Sequence, residues 1–428
     1  MDSKNIFVIG LNDFNLGELK SIDEAEKYNF IRVFNKKELQ VKYEKPDLEM
    51  FLDKAREEIT GFGGDIDGII GFFDFPVTLL AFVLANEFKT RAPSLESAFK
   101  CEHKYWSRVE QKKVISENIP KFSSINPFDP PGFDSIELKK PFWIKPVKSY
   151  ASQLGFKIEN QDDFESCLEE IREDIHKFAD PFNYLLSFIE MPEDLSDVDG
   201  NFCIAEELVE GHQCTLSGYV YHGEVRNYGI VDSINYEEAP SFFYYLFPSN
   251  LPESVQERMR AISEKVMKQI GFDNSPFNIE FFYDEESDQI NLLEINPRMS
   301  QSHSDLYAKV KGSSNHEVLV KCVTDQDPEF KDKKGKYQCA AKFHYRIFDK
   351  EDGIVKRVPS DEDLKEIRKE FPETIMNVEI NKGNKLSELP IQDSYSFRLA
   401  SIYTGAENEK ALIEKYNKIV DKLNIKVE

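Results

Sequence analysis

Two apolar runs separated by a polar turn constrain this chain more than any other feature of its sequence. The first run contains Ile279-Glu280-Phe281-Phe282-Tyr283 and the second contains Ile290-Asn291-Leu292-Leu293-Glu294-Ile295-Asn296, with the turn-rich segment 284–289 between them. Runs of this composition around such a turn predict a β-hairpin. Pairing the runs brings Glu280 and Glu294 to one edge, and Asn296 faces the same side of its strand as Glu294 because side chains alternate.

Carboxylate and amide oxygens are the ligands that Mg²⁺ prefers when it also holds the phosphates of a nucleotide. We therefore predict that Glu280, Glu294 and Asn296 bind Mg²⁺ together with ATP, and Mn²⁺ would suit the same ligands. Arg298, two positions beyond Asn296, is placed to meet an anion formed there. The alternative is that Glu280 and Glu294 are ordinary polar residues that alternate along a half-exposed hairpin.

The same residues resemble a known signature. Glu280 with Glu294-x-Asn296-x-Arg298 resembles the metal-binding pattern of the ATP-grasp superfamily of ligases. The segment 296–302, Asn-Pro-Arg-Met-Ser-Gln-Ser, is most similar to the one in carbamoyl-phosphate synthetases, and biotin carboxylases and L-amino-acid ligases carry relatives of it. The resemblance covers most of residues 1–330 and implies a two-lobed ATP-grasp core.

The resemblance also implies a nucleotide pocket. Lys104 and Lys145 correspond to the phosphate-contacting lysines of the family, and the segment 205–211 resembles the hinge that meets the adenine. The hinge residues expected to bind the nucleotide are Glu206, Glu207, Leu208, Val209 and Glu210. The loop after Lys145 lacks the family's glycines, so its side chains would supply the γ-phosphate contacts: Lys148, Ser149 and Ser152. Either Glu210 or Gln213 would contact the ribose.

Net charge, apolar runs and cysteine spacing exclude several classes of function and location. The chain has 428 residues and a net charge of −24, which disfavours a nucleic-acid or anionic-membrane partner because both would be repelled. An acidic protein that binds ATP must build a local basic pocket. No apolar run approaches the ~20 residues needed to span a bilayer, so a cytoplasmic location is predicted.

The cysteines and histidines do not indicate a metal site. The six cysteines form no Cys-x-x-Cys pair and are interpreted as reduced thiols, and the scattered histidines disfavour zinc.

Strand and helix patterns alternate over residues 4–100, which predicts an α/β fold with an N-terminal doubly wound parallel sheet. Strands are expected at 6–10, 30–34 and 66–73, and helices at 48–59, 75–88 and 97–115. The predicted domains are 1–100, an α/β domain before the ATP-grasp domain; 101–330, the ATP-grasp domain with a small lobe at 140–207 and a large lobe at 208–330; and 331–428, an α+β module.

The resemblance implies an enzyme that transfers the γ-phosphoryl group of ATP to a carboxylate, giving ADP and an acyl phosphate that a nucleophile attacks. The leading hypothesis is a carboxylate–amine ligase acting on an amino acid or small carboxylic acid; a homodimer is compatible with it. Arg298 would stabilise the acyl phosphate, and His303 would contact substrate, carry a proton or make a structural hydrogen bond. The alternatives are a bicarbonate-activating carboxylase or carbamoyl-phosphate-type enzyme, and a non-catalytic nucleotide-binding protein.

Overall fold

The N-terminal part of the chain alternates strands and helices around a parallel sheet. The computed structural model describes residues 3–35, 38, 47–149, 153–237, 239–330, 334–348, 353–389 and 395–428. The first elements are β1 (Lys4–Ile9), α1 (Asp13–Lys20), β2 (Tyr28–Val33), α2 (Leu48–Gly61), β3 (Gly68–Ile70) and α3 (Val77–Glu87). The strands pair in parallel in the order β2-β1-β3, which confirms the predicted α/β fold class. Strand β3 is shorter than the predicted 66–73 because it pairs with β1 only over Gly68–Ile70.

The helical stretch expected at 97–115 is broken into two helices. They are α4 (Leu95–Glu102) and α5 (Lys104–Ile115), and His103 between them has an extended backbone with ψ of 97°. The His103 ring accepts a hydrogen bond from the backbone N–H of Trp106, so this residue caps α5. The break sets Lys104 in the first turn of a new helix.

A small antiparallel sheet forms the next layer. Its elements are β4 (Phe122–Ile125), β5 (Phe142–Pro146), β6 (Phe156–Ile158), α6 (Gln161–Asp174), α7 (His176–Leu186) and β7 (Cys203–Glu207), with strand order β4-β7-β5-β6. Phe142 and Ile144 of β5 pack against Phe164 and Leu168 of α6. Helix α7, which contains Pro181, was not predicted and packs into the N-terminal core.

A large antiparallel sheet occupies the rest of the chain. The elements are β8 (His212–Tyr221), β9 (Glu224–Tyr236), β10 (Ala239–Phe247), α8 (Glu253–Ile270), β11 (Ser275–Asp284), β12 (Gln289–Asn296), α9 (Ser304–Lys311), α10 (Asn315–Val323), β13 (Cys339–Ile347), β14 (Val355–Arg357), α11 (Asp361–Glu370), β15 (Ile375–Val378), β16 (Phe397–Ala406), α12 (Glu409–Leu423) and β17 (Lys426–Val427). Eight strands pair in the order β12-β11-β8-β9-β10-β13-β16-β15, and β14 pairs with β17. Short 3₁₀ turns lie at Ala25–Lys27, Ser116–Asn118, Phe133–Ser135 and Leu386–Glu388.

The two faces of the large sheet differ in chemistry. One face carries Leu216, Ile279 and Phe281, which pack against the apolar stripe of α8. The opposite face carries polar side chains from successive strands, among them Gln213 of β8 and Glu280 of β11. We call this polar side the site face.

Strands β13, β15 and β16, from the predicted 331–428 module, extend the same sheet as the hairpin, because β13 pairs with β10. Tyr244 and Leu246 of β10 share a core with Phe343 and Ile402. The boundary at 330 therefore falls between strands of one sheet. Across the described ranges, none of the helices combines the length and apolar character required to cross a membrane.

Candidate functional site

A β-bulge sets the orientation of the acidic pair. Glu280 pairs with Glu294 across the hairpin, whereas the next residue, Phe281, pairs with Leu292. Leu293 is therefore the extra residue of the bulge, and it shifts the alternation of β12 by one position. Without the shift, Glu294 would face the same side as Leu292, which is buried in the α8 core. The bulge turns Glu294 to the site face.

The two carboxylates have different electrostatic surroundings. Gln213 donates to Glu280 Oε2 at 3.2 Å, and Asn296 Nδ2 lies 3.4 Å from Glu280 Oε1. Burial and the facing Glu294 raise the pKa of Glu280 to about 7. Burial opposes ionisation of Glu294 as well, but the Lys104 ammonium group outweighs it and lowers the pKa of Glu294 below its usual value.

The acidic pair with the amide of Asn296 fits a hard divalent cation. The structure brings these three side chains together, and the pKa of Glu280 is raised first by burial and then by repulsion from Glu294. Over the part of the chain that the structure describes, no group of three or more His, Cys, Asp or Glu residues could hold a metal ion. A cation here would therefore take its remaining ligands from phosphate oxygens or water, as Mg²⁺ with a nucleotide does. This assignment stays a prediction.

The three lysines predicted to contact the phosphates of ATP lie close to one another near the hairpin, and each forms an ion pair with a carboxylate. Lys104 Nζ lies 3.1 Å from Glu294 Oε1, and Lys145 Nζ lies 2.8 Å from Glu206 Oε2. Lys148 forms an ion pair with Glu102, a residue that the sequence had not indicated. Burial lowers the pKa of Lys104, and repulsion from Lys148 and Lys145 adds to this effect. Three ammonium groups at close range suit an anionic ligand such as a triphosphate.

The loop after Lys145 is described only in part. Lys148 is buried, and the Ser149 carbonyl accepts a hydrogen bond from Lys104 Nζ at 3.0 Å. Ser152 lies outside the described residues. The predicted contacts of these side chains with the γ-phosphate remain untested.

The hinge segment joins the small sheet to the large one. Strand β7 ends at Glu207, and Leu208 and Val209 follow it as half-buried residues outside any strand. Glu210 is exposed. Gln213, one of the two candidates for the ribose, points instead to Glu280, and Glu207 accepts a hydrogen bond from the backbone of Lys139 at 3.2 Å.

Arg108, which the sequence had not indicated, connects the hinge to the hairpin. Its guanidinium Nε lies 2.5 Å from Glu206 Oε1, and its NH2 donates to the carbonyl of the bulge residue Leu293 at 2.8 Å. Burial would raise the pKa of Glu206, but Arg108 and Lys145 outweigh it and lower that pKa to about 2. Both carboxylate oxygens of Glu206 are thus paired with cationic side chains of the protein, Arg108 and Lys145. Arg108 lies one helical turn after Lys104, and this spacing was the available signal.

Arg298 lies between the hairpin and the N-terminal sheet. Its NH2 group lies 2.8 Å from Oδ2 of Asp74 and 3.3 Å from Oδ1 of Asn296, while its buried Nε has no hydrogen-bond partner among the described residues. Arg298 and Lys148 together overcome burial and hold the pKa of Asp74 well below its usual range. The sequence signal for Asp74 was its position just after β3, since ligands commonly bind beyond the carboxyl ends of parallel strands.

His303 precedes α9 and is buried against Tyr245, with ring centroids 5.3 Å apart. Burial, with Lys342 and Arg298 nearby, lowers the pKa of His303 to about 3, so its ring is neutral at pH 7. Its Nδ1 atom makes no hydrogen bond within the described ranges. The neutral ring favours a substrate contact over a protonated acid.

Comparison with known proteins agrees with this geometry. Residues 138–304 match the ATP-grasp domain family. No curated protein sequence matches the chain. The structure is similar to an L-amino acid ligase from Bacillus licheniformis, with 16% identity, a TM-score of 0.72, and coverage of 100% of this chain and 99% of the other.

Two further solved structures have the same fold over almost the whole chain. A phosphoribosylglycinamide synthetase from Anaerococcus prevotii has 15% identity, a TM-score of 0.65, and coverage of 100% of both chains. A biotin carboxylase from Campylobacter jejuni has 15% identity, a TM-score of 0.64, and coverage of 99% of this chain and 92% of the other. Residues 138–304 therefore form an ATP-grasp domain, as the resemblance in the sequence predicted, and the solved structures show that the whole chain shares its fold with ATP-grasp ligases.

Proposed function

We propose that this protein is an ADP-forming ligase that joins a small carboxylate, such as an amino acid, to an amine through an acyl phosphate. The observation that carries the proposal is the Glu280–Glu294 pair, turned to the site face beside Lys104 and Arg298. The similarity of the whole chain to an L-amino acid ligase supports the amine nucleophile.

The proposed roles follow from charge and position. Mg²⁺, held by Glu280, Glu294 and Asn296, would neutralise the β- and γ-phosphates of ATP. Lys104 and Lys145 would contact the phosphates by exchanging their carboxylate partners for phosphate oxygens. The backbone at Leu208 and Val209 would meet the adenine.

Arg298 would hold the acceptor carboxylate and its acyl phosphate. A guanidinium group can pair bidentately with a carboxylate, and the buried Nε atom still has a hydrogen to donate. Pairing with Asp74 fixes the side chain before substrate arrives. The contact would strengthen as negative charge develops on the transferred phosphoryl group.

A second candidate is an enzyme that activates bicarbonate. The segment 296–302 and the structural similarity to a biotin carboxylase favour it. Both candidates predict ADP and phosphate as products, so only the acceptor distinguishes them.

The test is a screen of phosphate release with pairs of amino acids, with small carboxylic acids plus an amine, and with bicarbonate. Nucleotide products are identified by ³¹P nuclear magnetic resonance. We expect ADP and orthophosphate in a carboxylate-dependent reaction that hydroxylamine diverts to a hydroxamate. Stimulation by bicarbonate alone would select the second candidate, and stoichiometric AMP with pyrophosphate would reject both.

A further inference from the structure

Asp74 is a carboxylate of the candidate site that has no contact with substrate in the proposed function. Its side chain is 40% exposed, whereas those of Glu102 and Glu206, which pair with lysines of the site, are 4% and 6% exposed. Glu294 is 31% exposed but is already proposed as a ligand of the cation. A substrate can therefore reach Asp74, while Glu102 and Glu206 are enclosed by the protein.

The N-terminal sheet and Arg298 fix the orientation of this carboxylate. Asp74 lies just beyond β3, at the carboxyl ends of the parallel strands, where ligands of such sheets commonly bind. The backbone N–H of Phe75 donates to its Oδ1 at 2.7 Å, and the NH2 group of Arg298 donates to its Oδ2 at 2.8 Å. Each carboxylate oxygen can accept two hydrogen bonds, so both oxygens of Asp74 can accept one more from a ligand.

Lys148 does not take these remaining positions. Its Nζ lies 3.9 Å from Asp74 Oδ1, too far for a hydrogen bond, and its nearer partner is Glu102. Arg298 and Lys148 nevertheless outweigh burial and hold the pKa of Asp74 well below its usual range. Asp74 is therefore ionised at pH 7 and can bind a cationic group.

Arg298 and Asp74 place a positive and a negative group side by side. The Nε atom of Arg298 is buried and has no hydrogen-bond partner in the described part of the chain, so it can donate to a carboxylate. An α-amino acid carries a carboxylate and an ammonium group on one carbon atom, which is the complementary pair of charges. Because a zwitterion has no net charge, its binding would leave Arg298 and Asp74 as balanced as before.

We propose that the acceptor substrate is an α-amino acid whose carboxylate binds Arg298 while its α-ammonium group binds the carboxylate of Asp74. This inference rests on the proposed ligase function and narrows the acceptor from small carboxylates to zwitterions. It disfavours bicarbonate, which has no cationic group. An ammonium group held by Asp74 has no lone pair with which to attack, so the amine nucleophile is a second molecule.

Matched pairs of probes test this without the natural substrate. Each pair is an amino acid and the acid that lacks only its α-amino group: L-alanine and propionate, L-phenylalanine and hydrocinnamate, L-glutamate and glutarate, and L-lysine and ε-aminocaproate. Calorimetry on the full-length protein with Mg²⁺ and the ATP analogue AMP-PNP measures the binding of each. We expect at least one amino acid to bind about tenfold more tightly than its partner, or better, as a charge-assisted contact should allow. No such preference in any pair would overturn the proposal, and this outcome requires no variant.

Asp74→Asn distinguishes recognition of the ammonium group from a purely structural role in holding Arg298. The substitution should weaken binding of the preferred amino acid by roughly tenfold and leave its partner acid unchanged. Asp74→Glu keeps the charge and should retain most of the preference. Asp65→Asn, at an exposed position before β3, is the matched control and should change neither probe. If Asp74→Asn weakens both probes equally while AMP-PNP affinity is intact, Asp74 only positions Arg298 and the assignment is wrong.

The same proteins separate this inference from the proposed function. If a preference for the amino acid depends on Asp74 but no acid stimulates ADP formation, the zwitterion site stands and the ligase proposal fails. If acids stimulate ADP formation but those without an α-amino group serve as well as amino acids, the ligase stands and the role of Asp74 fails.

Discussion

Arg108 shows how one side chain can hold several parts of a site in register. It contacts the last residues of the hinge strand through Glu206 and the bulge through the Leu293 carbonyl. It is 3% exposed, so its charge is compensated inside the protein. Since the bulge orients Glu294, we interpret Arg108 as a positioning residue for the acidic pair.

Arg108→Met should therefore damage both stability and nucleotide binding. Removing one partner from a buried ion pair costs about 3 kcal/mol or more, and the bulge carbonyl also loses its donor. The free energy of unfolding in urea and the affinity for AMP-PNP measure the two effects. Lys112→Met, an exposed lysine on the same helix, is the control. Equal unfolding midpoints for the two variants would show that Arg108 does not hold these elements together.

At the scale of elements, the hinge and the hairpin are in direct backbone contact at Gly211. This residue has φ of +125°, and a Cβ atom built on it would lie 2.4 Å from the Tyr283 carbonyl oxygen of β11. Only glycine combines that backbone conformation with so close an approach. The contact ties the start of β8 to the hairpin that carries Glu280.

Gly211→Ala should separate the hinge from β11. We expect a loss of more than about 2 kcal/mol in the free energy of unfolding, because strain and overpacking add, together with weaker AMP-PNP binding. Gly223→Ala is a matched control, since Gly223 also has a positive φ of +77° but has nothing within 4 Å of an added Cβ. The interpretation is wrong if both substitutions have the same effect on stability and on nucleotide affinity.

The sequence predicted the elements whose patterns are local. The hairpin and the alternating N-terminal elements carry apolar periodicity that the sequence shows directly. Helix α10 was missed because it is buried on nearly all sides, from Asn315 to Val320, so it has no amphipathic stripe to detect. Helix α7 was missed because Pro181 lies inside it.

The sequence indicated the hairpin residues of the candidate site, but not the contacts that join them to other elements. Glu280, Glu294, Asn296 and Arg298 come together as their spacing indicated. The bulge at Leu293 could not be read from the sequence, since Arg108, which donates to its carbonyl, lies 185 positions away in the chain. The position of Asp74 just after β3 was a signal for a ligand site, but its pairing with Arg298, like that of Glu102 with Lys148, depends on the packing of the N-terminal elements.

At the scale of the whole molecule, one eight-stranded sheet carries both the acidic hairpin and strands of the predicted 331–428 module. The hairpin lies at one edge and the module strands at the other side of β10. The cation and phosphates are proposed at the hairpin, and the acceptor carboxylate at Arg298 beside it. A rigid sheet can keep two such sites at a fixed separation, which is what transfer between bound partners requires.

The central claim is that the Glu280–Glu294 pair holds Mg²⁺ with the nucleotide, and calorimetric titration of AMP-PNP with and without Mg²⁺ tests it without any knowledge of the acceptor. Mg²⁺ should tighten binding to the native protein, and Glu294→Gln, which keeps the shape and removes the charge, should abolish that gain. Glu285→Gln, at the exposed turn of the same hairpin, should retain the gain. An equal effect of Mg²⁺ in Glu294→Gln and in the native protein would contradict the account.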